Sequence, residues 1–353
     1  MPIVSDAERH LALARRVVAA VADRDAGLPE YVAGLSDNER AGLVRQLSAA
    51  ADGAAAGVSP ALLLRALLPH AATRLPVARQ AIQLMKSQRL AGKAAFLCLS
   101  ELRVAALRLR GAADDSLAGG DDGEEEDDAA TAAAAARPQL DEVLALIEEV
   151  LGALDATGSA PAAGASDAQA WGDGHASALQ LLPALLRAGD ALHARAYADD
   201  AAACPSEVAL ERLLAARWPT PLLASILGAI EEVPLAAAQR TSLRERIATA
   251  VGLRGAADAR ALHPQLLGVT KIALALAEKY AAADGAEGGA WAALLLQLAA
   301  AAPRTLLADL LWLVEVGLRY SAHLFAALER LLRERTAERL AAHAIADDDD
   351  DDD

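Results

Sequence analysis

The chain has 353 residues and a formal net charge of −16, and 54% of its residues are apolar while only 3% are aromatic. Ala and Leu therefore carry the hydrophobicity, which favours helix and argues against a β-sandwich or barrel. Two cysteines, Cys98 and Cys204, exclude a disulfide framework and any four-cysteine zinc site.

In chain order, helix-start signals recur. Ser5-Asp6-Ala7-Glu8 and Ser36-Asp37-Asn38-Glu39 both read as capping boxes, each opening an apolar-periodic segment. Pro60, Pro76, Pro138, Pro205, Pro221, Pro234, Pro264 and Pro303 each precede a helical pattern, and the first helical position tolerates proline because its N–H has no partner to lose. The patterns predict helices over 6–24, 36–51, 60–68, 76–89, 91–110, 139–153, 176–188, 190–203, 205–216, 220–230, 234–251, 264–283, 289–301, 303–318 and 321–343. Short links between helices of this length imply antiparallel neighbours. No fixed repeat period shows, so the expected fold is all-α, an α-solenoid of antiparallel HEAT-like helix pairs. Trp218, Trp291 and Trp312 are expected in the seams between stacked pairs.

The charge is unevenly placed. The stretch 114–128 holds nine acids and the tail 347–353 seven more, so the remaining chain is balanced. Such runs repel themselves and bury no apolar area. Residues 111–137 are therefore expected to be a disordered acidic insert, 155–175 a flexible loop and 347–353 a disordered acidic tail. No apolar stretch reaches the ~18 residues of a membrane span. With no signal-peptide pattern, the chain reads as soluble, in the cytosol or nucleus.

Catalytic signatures are missing. The sequence has no phosphate-cradling glycine loop, no nucleophile elbow and no paired-histidine metal motif. Its seven histidines are scattered, and Cys98 lies in an apolar run that reads as core. No cofactor or metal is expected, and the chain reads as a non-enzyme. Arg79, Lys86, Arg89 and Lys93 are spaced 7, 3 and 4 and would share one face of a continuous helix, with Arg103 extending the basic character. These five are the candidate DNA-binding residues, although no aromatics interleave to stack bases and a solvated outer face is the plain alternative. Ser87-Gln88 is a minimal kinase-target dipeptide.

Several segments, in order, resemble the Fanconi anaemia complementation group I family. They are Ser177 to Leu186, Leu213 to Trp218, Leu222 to Leu235, the helix at 241–251, Leu262 to Leu267 and Leu310 to Arg333, with Leu63 to Ala66 and Ile82 to Leu84 upstream. The agreement is collinear over roughly 60–340, without a single diagnostic motif. The resemblance implies a solenoid N-terminal cap at 1–56, a first α-solenoid at 57–284 and the start of a helical domain at 285–346. It implies a nuclear, non-enzymatic DNA-repair scaffold that pairs with its group D2 paralogue, clamps duplex or branched DNA in interstrand crosslink repair and engages ubiquitin-ligase machinery. The family's ubiquitin-accepting lysine falls beyond this chain, and the aspartate run replaces a continuing solenoid, as expected of a piece of a longer protein. The competing expectation is a HEAT-like protein-interaction adaptor that does not bind DNA.

Overall fold

The computed structural model describes residues 5–115, 125–155, 173–197, 203–216, 218, 222–252, 256–281 and 285–301, with single helical positions at 315, 326 and 333. Among these residues every regular element is a helix, and the helices pack against one another in an all-α architecture. The chain divides into two compact units, Met1–Arg217 and Trp218–Asp353.

In the first unit the helices are α1 (Asp6–Ala22), α2 (Leu28–Ala33), α3 (Asp37–Ala51), α4 (Pro60–Leu67), α5 (Ala71–Lys86), α6 (Gly92–Asp115), α7 (Glu125–Asp155), α8 (Asp173–Leu179), α9 (Leu182–Ala196) and α10 (Pro205–Ala215). Helices pack on the element two places along as well as on their sequence neighbour. One row runs α1, α4, α6, α9 and the other α3, α5, α7, with α9 also closing on α7. This two-row stacking is how helix pairs that cannot bury an apolar face alone build a continuous core. Leu43, Leu47, Leu63, Leu64, Leu67, Ile82 and Leu84 are among the buried residues at its centre, each contributing about 1.5–3 kcal/mol by removal from water.

Both capping boxes form. The Ser5 N–H donates to Glu8 Oε2 at 2.9 Å while the Glu8 N–H donates to Ser5 Oγ at 3.3 Å. At α3 the corresponding Ser36–Glu39 distances are 2.8 and 3.4 Å. The reciprocal bonds satisfy amide donors that the first helical turn leaves open. Pro60 and Pro205 open α4 and α10 as the sequence suggested.

Other boundaries differ from expectation for identifiable reasons. Pro76 lies inside α5, because Ala72 and Pro76 are both exposed and water can reach the carbonyl that the missing N–H leaves unpaired. Pro138 lies inside α7, so the helix expected at 139–153 starts at least as early as Glu125. The described parts of the expected disordered insert, 111–115 and 125–137, are accordingly helical; 116–124 lie outside the described residues. Of the expected flexible loop, 173–175 belong to α8 and 156–172 are not described. The predicted break at Gly189 is absent and α9 runs through it. There the missing side chain admits the start of α10, since an added Cβ would lie 3.3 Å from Pro205 Cβ. The neighbouring Asp190 Oδ1 accepts the Ser206 N–H at 2.9 Å. α2 has six residues, too few to show a period in the sequence.

In the second unit α11 (Leu223–Glu231), α12 (Ala237–Gly252), α13 (Ala256–Ala281) and α14 (Gly285–Ala301) pack as α11 on α13, α13 on α14 and α12 on α14. Trp218 and Trp291 are buried, with the Arg246 and Arg244 guanidiniums each 5.5 Å from the respective ring centroid. Arg240 and Arg244 both pair with Glu287, and Arg240 also lies over the Tyr280 ring. The Tyr280 hydroxyl accepts the Leu235 N–H at 3.1 Å. Trp312, the two helices expected at 303–318 and 321–343 apart from three single positions, and the acidic tail lie outside the described residues.

Candidate functional site

The candidate basic face depends on a helix continuing past Lys86, and the chain turns there instead. Ser87 caps the C-terminus of α5, Gln88 takes a left-handed conformation at φ 59°, and the Leu90 N–H donates to the Leu84 carbonyl at 2.9 Å. α6 begins at Gly92, which has φ 53°. Arg79 and Lys86 are thus on α5, Arg89 in the turn, and Lys93 and Arg103 on α6. Ser87-Gln88 is part of that turn and exposed.

Three of the five cations are engaged by other parts of the chain. Lys86 Nζ donates to the Glu149 carbonyl at 2.9 Å and to Glu149 Oε1 at 3.1 Å, tying α5 to α7. Arg89 makes a two-pronged pair with Asp52, one prong of 2.7 Å, joining the turn to the end of α3. The hydrogen bond from Arg89 holds the Asp52 carboxyl below its ordinary range. Arg103 donates through Nε at 3.2 Å and Nη2 at 2.7 Å to the Gln180 carbonyl between α8 and α9. Arg79, Arg89 and Lys93 are exposed, and of these Arg89 is held by Asp52. The five therefore do not share the face of one helix: Lys86, Arg89 and Arg103 are held by Glu149, Asp52 and Gln180, while Arg79 and Lys93 are exposed.

Two titratable groups near this region are shifted by their surroundings. Cys98 is fully buried, and burial, with Glu101 nearby, pushes its thiol up to about 12, far from the thiolate a nucleophile needs. His175 is held below the usual histidine range, first by burial and then by Lys86. Among the described residues no cluster of His, Cys, Asp and Glu could hold a metal ion, and no helix is long and apolar enough to cross a membrane.

What the sequence reading missed is an apolar face. On α6, Cys98, Leu99, Leu102, Ala106 and Leu109 are buried, as one stripe of a helix should be. On the opposite side Phe96 is 68% exposed, Leu107 51%, Leu97 41% and Val104 39%. The signal was present in the run Phe96-Leu97-Cys98-Leu99 and in Leu102, Val104, Leu107 and Leu109. A helix apolar nearly all round has a second face to cover.

The architecture defines an all-α protein of stacked helix pairs. No family model, curated protein or solved structure matches the chain. The resemblance to the group I family stands on the quoted residues alone.

Proposed function

We propose that the chain is a helical scaffold that holds other macromolecules against its exposed helix faces and performs no chemistry of its own. The observation that carries this reading is the outward side of α6, where four large apolar side chains stand in water together while Lys86, Arg89 and Arg103 serve internal contacts. Scattered exposed apolar residues are ordinary, but a contiguous patch on one helix is a feature of interaction surfaces. The test is the mass of the native particle. Tagged in its own cells and purified at moderate salt, the chain should elute with at least one protein in fixed stoichiometry. Elution alone at its own mass would overturn the reading.

A second reading gives the scaffold a nuclear role of the group I type, with the D2 paralogue, duplex or branched DNA and ubiquitin-ligase machinery as partners. The collinear resemblance and the exposed Arg79 and Lys93 support it. Fluorescence anisotropy with a labelled duplex tests it. Affinity should fall steeply with salt and fall further in Arg79→Glu/Lys93→Glu, since each phosphate contact releases counterions. Binding that is absent, or indifferent to those two changes, would leave the adaptor reading alone.

A further inference from the structure

We propose that the outward face of α6 is a docking site for an acidic amphipathic helix of a partner protein, an inference that builds on the scaffold reading above. Phe96, Ser100, Val104 and Leu107 recur at intervals of three and four and so form one stripe, with Leu97 beside it. From Phe96 to Leu107 the stripe spans eleven helical rises, about 16 Å, or three turns. That length suits a single helix laid alongside, whose own anchors would fall at i, i+3 or i+4, and i+7. It is narrow for a second globular copy, which needs roughly 800 Å² from each partner.

Charge selects among the remaining occupants. Along the stripe, from Lys93 to Arg110, the helix carries Lys93, Arg103, Arg108 and Arg110 and one acid, Glu101; its two other acids, Asp114 and Asp115, lie at the C-terminal end, beyond the last apolar residue of the stripe, Leu107. Glu101 turns away to pair with Arg65 on α4. Arg103 is bonded to a neutral carbonyl, so its charge is not cancelled. Lys93, three residues before Phe96, is exposed at the N-terminal end of the stripe, and Arg108 is exposed on its flank. An apolar stripe bordered by cations fits a partner with an apolar stripe bordered by Asp and Glu. A second copy of α6 would set cations against cations. Duplex DNA would leave Phe96, Val104 and Leu107 facing phosphates with no apolar partner. The chain's own acidic runs lack the apolar anchors of such a helix: 114–128 contains one large apolar residue, Leu117, and 347–353 contains none.

The test uses the full chain and a displayed library of helical peptides randomised at both apolar and flanking positions. Selection should converge on apolar residues at i, i+3 or i+4, and i+7 flanked by Asp or Glu. A synthetic peptide of that consensus should bind with an affinity reduced roughly tenfold or more in Phe96→Ser/Leu107→Ser. In Lys93→Glu/Arg108→Glu its binding should weaken, while the same peptide with Lys in place of its acids should gain. All four substituted residues are exposed, and unchanged circular dichroism and melting show that the variants fold. A consensus without acids, or one that binds both variants as it binds the parent, overturns the proposal. So does sedimentation as a dimer that Phe96→Ser/Leu107→Ser dissociates, which assigns the face to a second copy. Flotation with vesicles containing phosphatidylserine, lost in the same variant, would assign it to a lipid surface. A native particle with a stoichiometric partner that Phe96→Ser/Leu107→Ser does not release would sink this site while leaving the scaffold reading intact.

Discussion

Replacing Gly42 by alanine sets two effects against each other at the α1–α3 contact. In the interior of α3 a glycine costs about 1 kcal/mol relative to alanine, so in open space the exchange would stabilise. The space is not open. A Cβ at Gly42 would lie 2.3 Å from Cδ2, 2.5 Å from Cγ and 2.6 Å from Nε2 of His10. His10 is itself buried. Relieving the contact needs the buried His10 ring to leave its rotamer, where neighbouring side chains crowd it, or α1 to move away from α3. Overpacking of this kind costs about 1–3 kcal/mol, and the close approach to several ring atoms puts this site towards the upper part of that range. The net effect is a loss of about 1–2 kcal/mol, lowering Tm by roughly 2–8 °C for a unit of this size. Thermal and urea unfolding of Gly42→Ala, His10→Ala and the double variant measure it. With the ring removed, the glycine-to-alanine exchange should be neutral or stabilising by up to about 1 kcal/mol. Gly152→Ala in α7, where nothing lies within 4 Å of the added carbon, is the open control and should gain about 0.5–1 kcal/mol. A Gly42→Ala protein as stable as its parent, or a cycle without coupling, would refute the steric reasoning.

Other outcomes follow from the same geometry. Ser36→Ala should cost about 1 kcal/mol, read as a shift in urea midpoint, because it removes the cap of α3. His175→Phe should flatten the acid limb of the stability curve. The folded-state pKa of His175 is depressed, so the stability it contributes is complete above the unfolded value, about pH 6.5, and is lost as pH falls through the folded value. A parent and variant with parallel melting profiles between neutral and mildly acid pH would count against that assignment. Towards a thiol reagent at mildly alkaline pH, Cys204, which is partly exposed, should react in the native protein and Cys98 only on unfolding, followed by mass spectrometry of the labelled peptides.

Much of the fold was legible because its signals are local. A Ser three residues before a Glu, ahead of an apolar period, specifies both ends of a reciprocal pair of hydrogen bonds, and Ser5–Glu8 and Ser36–Glu39 form as read. Proline was less dependable, since its local rule is a cost and not a prohibition. At Pro60 and Pro205 the cost vanishes at the helix start, while at Pro76 exposure of the freed carbonyl reduces it. Gly189 read as a break because glycine weakens a helix. Its actual use, making room for Pro205, depends on a residue sixteen positions away that no window contains.

The candidate site was less legible, and Lys86 shows why. Sequence spacing says which way a cation leaves its own helix but not what waits there. Lys86 and Arg79, seven residues apart, share a face of α5. Yet α7 supplies Glu149 to Lys86, 63 positions along the chain, while Arg79 remains exposed. Asp52 reaches Arg89 from the end of α3, and Gln180 receives Arg103 from beyond α8. In a two-row stack every helix lies against elements distant in sequence, so surplus positive charge on one helix is as readily a fastener between rows as a surface for phosphate. The same stacking explains α6. Its row neighbours α4 and α9 bury the Cys98–Leu102–Leu109 side, and among the described residues the large apolar side chains on the far side stay exposed. Whether a basic residue in such a fold is a fastener, like Lys86, or a solvated charge, like Lys93 or Arg108, is decided by its long-range neighbours and not by its spacing. A second apolar stripe on a row helix such as α6 reads as outward-facing, because stacking has already used the first.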